Sequence, residues 1–213
     1  MALKPLSPDT LHVVIDMQRI FADETAWHTP ALATILPNVV LLSESFSSET
    51  LFVKFMLPQS SEQAPGTWRG YYDRWKTMTL DAIDPAMQDL VEPLQRFATI
   101  DNQIEKLTYS AFASPSFTQA VAKRNIDTIV FTGVETDVCV YASVLDAVDI
   151  GLRVVIVADA VASSDAAAHE AVLTLLAPRL SDQIEIATTQ AVSQAWSKVE
   201  KTETHAQSRQ GSD

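Results

Sequence analysis

With 213 residues, 47% of them hydrophobic and 20% charged, the chain has the length and composition of one globular domain with a sizeable core. Its 27 acidic against 15 basic residues give a formal net charge of −12, which repels phosphate backbones and anionic lipid and argues against nucleic-acid or membrane-surface roles without a local basic patch. One cysteine permits no intramolecular disulfide, and with four scattered histidines it offers no metal-ligand spacing, so no metal is expected.

The N-terminal stretch MALKPLSPDT lacks the apolar segment of a signal peptide, and no apolar run is long enough to cross a bilayer; a cytoplasmic protein is expected. Leu11–Met17, LHVVIDM, follows Pro5 and Pro8 and reads as a buried first strand with Asp16 at its carboxyl end. Buried, that carboxylate needs a cation, a hydrogen-bond donor or a ligand; exposed, it is an ordinary solvated strand end. Phe21–Leu36, with Trp27, His28 and Pro30, suggests a loop leading into a helix over about Ala33–Phe46, in which Pro37 is expected either in the first turn or at the start.

Leu51–Leu57 is the second strand, closed by Pro58, and its Lys54 is expected at a strand end or beside an acid. Gln59–Leu80 reads as the longest irregular stretch. It crowds Trp68, Arg69, Tyr71, Tyr72, Arg74 and Trp75 together, a composition that suits either a binding surface or a short helix packing its rings on the domain or on a second subunit. Asp81–Phe97, with Pro85 and Pro93, allows only broken helical turns.

Gln103–Leu107 is a short third strand with Lys106 near its end, where a lone lysine is ordinarily a solvated charge. Ser114-Pro115 opens a helix to about Arg124, with Ser as cap and Pro at the first position. Asp127–Val134 is a fourth strand, and Gly133–Tyr141, GVETDVCVY, turns it into a helix over Val138–Ile150 that Gly151 ends. Cys139 then falls in a first helical turn, where unpaired amides and the helix dipole favour a thiolate and predict a depressed thiol pKa. The alternative is a buried structural cysteine. Leu152–Ala158 supplies a fifth strand, Ser164–Leu176 a helix stopped near Pro178, Ile184–Ala187 a last strand and Thr189–Lys198 a closing helix. Residues 1–200 thus read as a single domain, and 201–213 as a polar, frayed tail.

Strands separated by helices predict an α/β fold with a parallel sheet covered on both faces. Right-handed crossovers bring the carboxyl ends of such strands to one edge, and with them Asp16, Lys106 and Cys139. A carboxylate, an ammonium and a thiol on one edge weigh more than any of them alone.

VVIDMQRIF at Val13–Phe21, EKLTYSAF at Glu105–Phe112 and VFTGVETDVCVYASVLDAVDIGLRVVIVADAVAS at Val130–Ser163 resemble the isochorismatase-like cysteine hydrolases, in the same order and over about residues 11–190. The resemblance implies a three-layer αβα fold with a six-stranded parallel sheet ordered 3-2-1-4-5-6. It implies a catalytic triad of Asp16, Lys106 and Cys139, a cis peptide between Val134 and Glu135, an oxyanion hole built from the backbone amides of Glu135 and Cys139, no cofactor, and assembly as a homodimer or homotetramer. Members that hydrolyse isochorismate commonly lack the cysteine that this chain keeps, which favours C–N cleavage over vinyl-ether hydrolysis. Nicotinamidases carry metal-binding histidines after the second strand, where this chain reads Leu57-Pro58-Gln59-Ser60.

The expected activity is therefore hydrolysis of a small amide or ureide through a thioester, with a vinyl-ether hydrolase or a silent binding protein on the same fold as alternatives. Trp68, Arg69, Tyr72 and Arg74 are expected to line the substrate site, their cations reaching a substrate carboxylate; subunit contacts are the competing use of the same residues.

Overall fold

The structure, a computed structural model, describes residues 3–196. Strands β1 (Thr10–Ile15), β2 (Thr50–Phe55), β3 (Gln103–Lys106), β4 (Thr128–Val134), β5 (Arg153–Ala162) and β6 (Ile184–Ala187) pair in parallel in the order 3-2-1-4-5-6. The central pair is buried at every position, as continuous β-branched runs must be when helices cover both faces of a parallel sheet. The order reverses between β1 and β4. A crevice therefore opens beyond the carboxyl ends of these two neighbours.

Gly133 sits opposite Ile15 in the β1/β4 ladder with φ 108°, and a Cβ there would come within 2.0 Å of the Ile15 carbonyl oxygen. Only glycine lets the two strands stay paired to their ends.

The flanking helices are α1 (Arg19–Ala22), α2 (Leu32–Ser45), α3 (Trp68–Arg74), α4 (Glu92–Gln95), α5 (Pro115–Lys123), α6 (Tyr141–Asp149) and α7 (Ala166–Ala171). A further helix runs from residue 189 to the end of the described region at 196. The expected end of that helix at Lys198, and the tail beyond it, lie outside the described residues. None of the described helices is long and apolar enough to cross a membrane.

Several expectations are corrected. Pro37 lies inside α2, not in its first turn; it and Ala33 are exposed, so the carbonyl left without an intrahelical donor faces water. The stretch 59–80 is not irregular throughout: 3₁₀ turns at Ser61–Gln63 and Lys76–Met78 flank α3, which the burial of Tyr72 anchors. Strand β5 has ten residues because a register shift between Phe131 and Gly133 carries its pairing on to Ala162. The helix expected over Ser164–Leu176 begins at Ala166 under an Asp165 cap and loosens into a π turn at Val172–Leu176, then a 3₁₀ turn containing Pro178.

Candidate active site

At the end of β1 the chain turns through Asp16 in the left-handed region, φ 52°, a conformation that Asp tolerates better than most residues. Its N–H still bonds the Val53 carbonyl at 2.9 Å, so the turn stays anchored to β2. Lys106 is the last residue of β3, two strands away. Its side chain passes over Phe55 at the end of β2, Nζ lying 4.6 Å from the ring centroid, and donates to Asp16 Oδ2 at 2.8 Å and to the Thr108 carbonyl at 3.2 Å. Both charged side chains have 0% exposure. Breaking such a pair from one side leaves an uncompensated buried charge, at about 3–5 kcal/mol.

Cys139 lies where β4 passes into α6. The entry is not the plain helical turn expected from the sequence but a π turn over Thr136–Val140, in which the Glu135 carbonyl accepts from both Val138 and Val140 N–H at 3.1 Å. Ser143 ties the turn down, donating to the Cys139 carbonyl at 2.7 Å while accepting from Ala111 N–H at 2.9 Å. The peptide bond between Val134 and Glu135 is cis.

The charge states correct the expected depressed thiol. Burial pushes the Cys139 thiol well up; Lys106 draws it down, Asp16 pushes it up again, and the net direction is up. Burial also raises the Asp16 carboxyl, with Lys106 pulling against it. For Lys106 burial favours the neutral amine, but Asp16 and Cys139 outweigh it and raise its pKa. Asp16 Oδ1 makes no well-aligned hydrogen bond, although the thiol is close enough for each group's charge to bear on the other.

Cys139 opens onto a cavity of about 350 Å³. Six rings line it: Phe21, Trp27, Phe55, Tyr71, Trp75 and Tyr109. Its polar side comes from His28, Glu135 and Ser164. The four residues expected to bind substrate do not line this cavity. One turn of α3 points Tyr71 and, just past its end, Trp75 inward, which turns their neighbours elsewhere. Tyr72 is buried, Trp68 stacks near Tyr109 with centroids 4.7 Å apart, and both border a separate hollow. Arg69 is exposed and donates to the Glu62 carbonyl at 3.1 Å, while exposed Arg74 lies 5.2 Å from the Trp75 ring. Lys54 is half-buried opposite Glu105 in the β2/β3 ladder. Sequence reasoning passed over Trp27, His28, Tyr109 and Ser164 as site residues, since a scattered aromatic in a loop carries no period to place it. Among the described residues, no cluster of three or more His, Cys, Asp and Glu side chains could hold a metal ion.

A doubly wound parallel sheet that gathers a carboxylate, an ammonium and a thiol at one crevice defines an α/β protein with a cysteine-centred site. Residues 10–188 match the isochorismatase domain, and the chain belongs to the isochorismatase family of hydrolases. The ureidoacrylate amidohydrolase RutB of Pseudomonas savastanoi pv. phaseolicola is 31% identical over 86 residues, 40% of this chain and 30% of the relative. The maleamate amidohydrolase of Pseudomonas putida is 32% identical over 95 residues, 41% and 45% of the two chains. Each match thus spans less than half of the relative. A crystal structure of a cysteine hydrolase from Pseudomonas syringae pv. phaseolicola shares the fold, with a TM-score of 0.76 over 93% of this chain and 98% of that one, at 20% identity.

Proposed function

We propose that the protein is a cysteine amidohydrolase that cleaves a C–N bond of a small amide or ureido compound through a thioester acyl-enzyme. The observation that carries this reading is the buried contact of Lys106 with Asp16, at 2.8 Å, next to a thiol that opens onto a cavity. A scaffold has no use for a buried ion pair set against a thiol that lines a cavity. The amidohydrolase relatives support C–N chemistry.

In the proposed cycle Asp16 takes the thiol proton as Cys139 attacks the carbonyl carbon, and the Lys106 ammonium stabilises the sulfur charge as it develops. The backbone N–H groups of Glu135 and Cys139 hold the tetrahedral oxyanion. Collapse breaks the C–N bond, with the proton on Asp16 passing to the leaving nitrogen. Water then gives its proton to Asp16, attacks the thioester and releases the acid, and the proton returns to sulfur. A raised Asp16 pKa suits this work, because a stronger base draws more effectively on a buried thiol. The test is intact-mass analysis of a Cys139→Ser variant incubated with small amides and ureides, an oxygen ester being slower to hydrolyse. An added mass equal to the acyl part, on the peptide carrying residue 139, is the expected result. Turnover with no acyl adduct on that peptide would contradict the covalent route.

A further inference from the structure

Glu135 occupies an unusual position for a carboxylate. Its backbone begins the cysteine turn, and its side chain lines the same cavity as Cys139 and the six rings. One oxygen, Oε1, accepts from Thr29 Oγ1 at 3.1 Å and from the Ser164 N–H at 2.8 Å. These two bonds come from opposite sides of the site, from the loop before α2 and from the loop after β5, and they fix the direction of the carboxylate. Among the described residues, Oε2 accepts no hydrogen bond.

The charges around this carboxylate point one way. No Lys or Arg is among the residues lining the cavity. The Lys106 ammonium nearby is matched by Asp16 at 2.8 Å. Of the cations in the 59–80 stretch, Arg69 is held by the Glu62 carbonyl, Arg74 is exposed with its guanidinium 5.2 Å from the Trp75 ring and does not line the cavity, and Lys76 is exposed. A ligand entering the cavity therefore meets six aromatic rings, whose faces carry partial negative charge, and a fixed carboxylate with a free oxygen. An anionic group there would face the like charge of Glu135 with no Lys or Arg in the lining to offset it, whereas an N–H or ammonium group would find an acceptor and aromatic rings together.

We propose that Glu135 sets the charge preference of the site, so that it takes small uncharged or cationic amides and rejects those bearing a carboxylate. This deepens the amidohydrolase reading, on which its kinetic test rests. The Glu135 side chain is then a specificity-determining group distinct from its backbone N–H.

The experiment uses a matched series on the wild type: benzamide, its 3-aminomethyl derivative and its 3-carboxylate derivative. It has two readouts, kcat/KM for ammonia release and protection of Cys139 from alkylation by iodoacetamide, followed by intact mass. The expected kcat/KM for the carboxylate is at least about tenfold below that for benzamide, with the aminomethyl compound equal to benzamide or better; tenfold corresponds to about 1.4 kcal/mol, within reach of one charge at the surface of a protein cavity. In Glu135→Gln, whose carbonyl oxygen keeps the bonds from Thr29 and Ser164, the ratio of aminomethyl to carboxylate substrate should shrink about tenfold, mainly through KM. If nothing is hydrolysed but Cys139 is protected in the same order of compounds, the charge preference stands and the hydrolase reading alone fails. Hydrolysis or protection that is equal for all three compounds, or better for the carboxylate, overturns the proposal while leaving any observed hydrolysis intact. Protection by none, or a Glu135→Gln ratio equal to that of the wild type, also overturns it.

Discussion

In the proposed cycle the proton of Cys139 passes to Asp16, and the two charges around the thiol act in opposite directions. The Asp16 carboxylate holds the thiol proton on, while Lys106 favours its release. Replacing each should therefore move the thiol pKa in opposite senses. In Asp16→Asn the pH midpoint for alkylation of Cys139 should fall, and in Lys106→Met it should rise, both relative to the wild type. Midpoints that stay together, or move in the same direction, would mean that the three groups do not share one site. In the proposed cycle the same carboxyl also sets the acid limb of the rate. Asp16 works as a base only when ionised, so the raised pKa places the loss of kcat/KM above the ordinary carboxylate range as pH falls.

At the scale of the strand, β1 carries a second buried titratable group that the proposed chemistry does not use. His12 has 0% exposure, and its ring bridges three strands, Nδ1 to Thr50 Oγ1 at 3.0 Å and Nε2 to Thr132 Oγ1 at 2.9 Å. The Thr50 hydroxyl donates to the Phe46 carbonyl at 2.8 Å, so it accepts from His12, which assigns the proton to Nδ1 and makes Nε2 the acceptor of the Thr132 hydroxyl. Burial lowers the His12 pKa to about 3, from an unfolded value of 6.5. Between those two values the unfolded chain binds the proton and the native one does not. The contribution is therefore fully present above pH 6.5 and is lost as pH falls, at about 1.4 kcal/mol per unit. Urea denaturation of the wild type and of His12→Gln between pH 7 and pH 4 should show the wild type losing stability faster by about that slope. Parallel curves would show that the ring titrates alike in both states.

The strands were legible in the sequence because a fully buried parallel strand is written as a short, mostly apolar run rich in β-branched residues, as in Leu11–Ile15 and Ile129–Val134. Two of the α-helices were legible for a related reason: Ser114-Pro115 and Gly151 mark real boundaries. Where the reading failed, a tertiary contact outweighed the local signal. Pro37 is tolerated because the Ala33 carbonyl that it orphans meets water, and α3 forms in a stretch of Gly and Arg because its rings have a pocket to fill. The thiol pKa was misread because helix-turn amides and a lysine can be counted in a sequence, whereas the desolvation that outweighs them depends on what lies on every side.

For the molecule as a whole, the sheet order decides what can meet. Order 3-2-1-4-5-6 sets β1 beside β4 and leaves β3 two strands from β1, which is the reach of one lysine side chain laid across Phe55. The composition of the surface and of the cavity also agree: a chain with net charge −12 encloses a site without a free cation among its lining residues. The cavity wall could not be read from the sequence, because its rings come from α1, the loop before α2, the end of β2, α3 and the residue after it, and the segment after β3. Only the fold assembles them.

The central claim is that Cys139 carries the chemistry, and it is tested most directly by the rate of amide hydrolysis in Cys139→Ala. The variant should fold as the wild type does and lose activity by a factor of about 10³ or more, the scale of removing a covalent nucleophile. A folded Cys139→Ala protein that hydrolysed the same amide at close to the wild-type rate would contradict it.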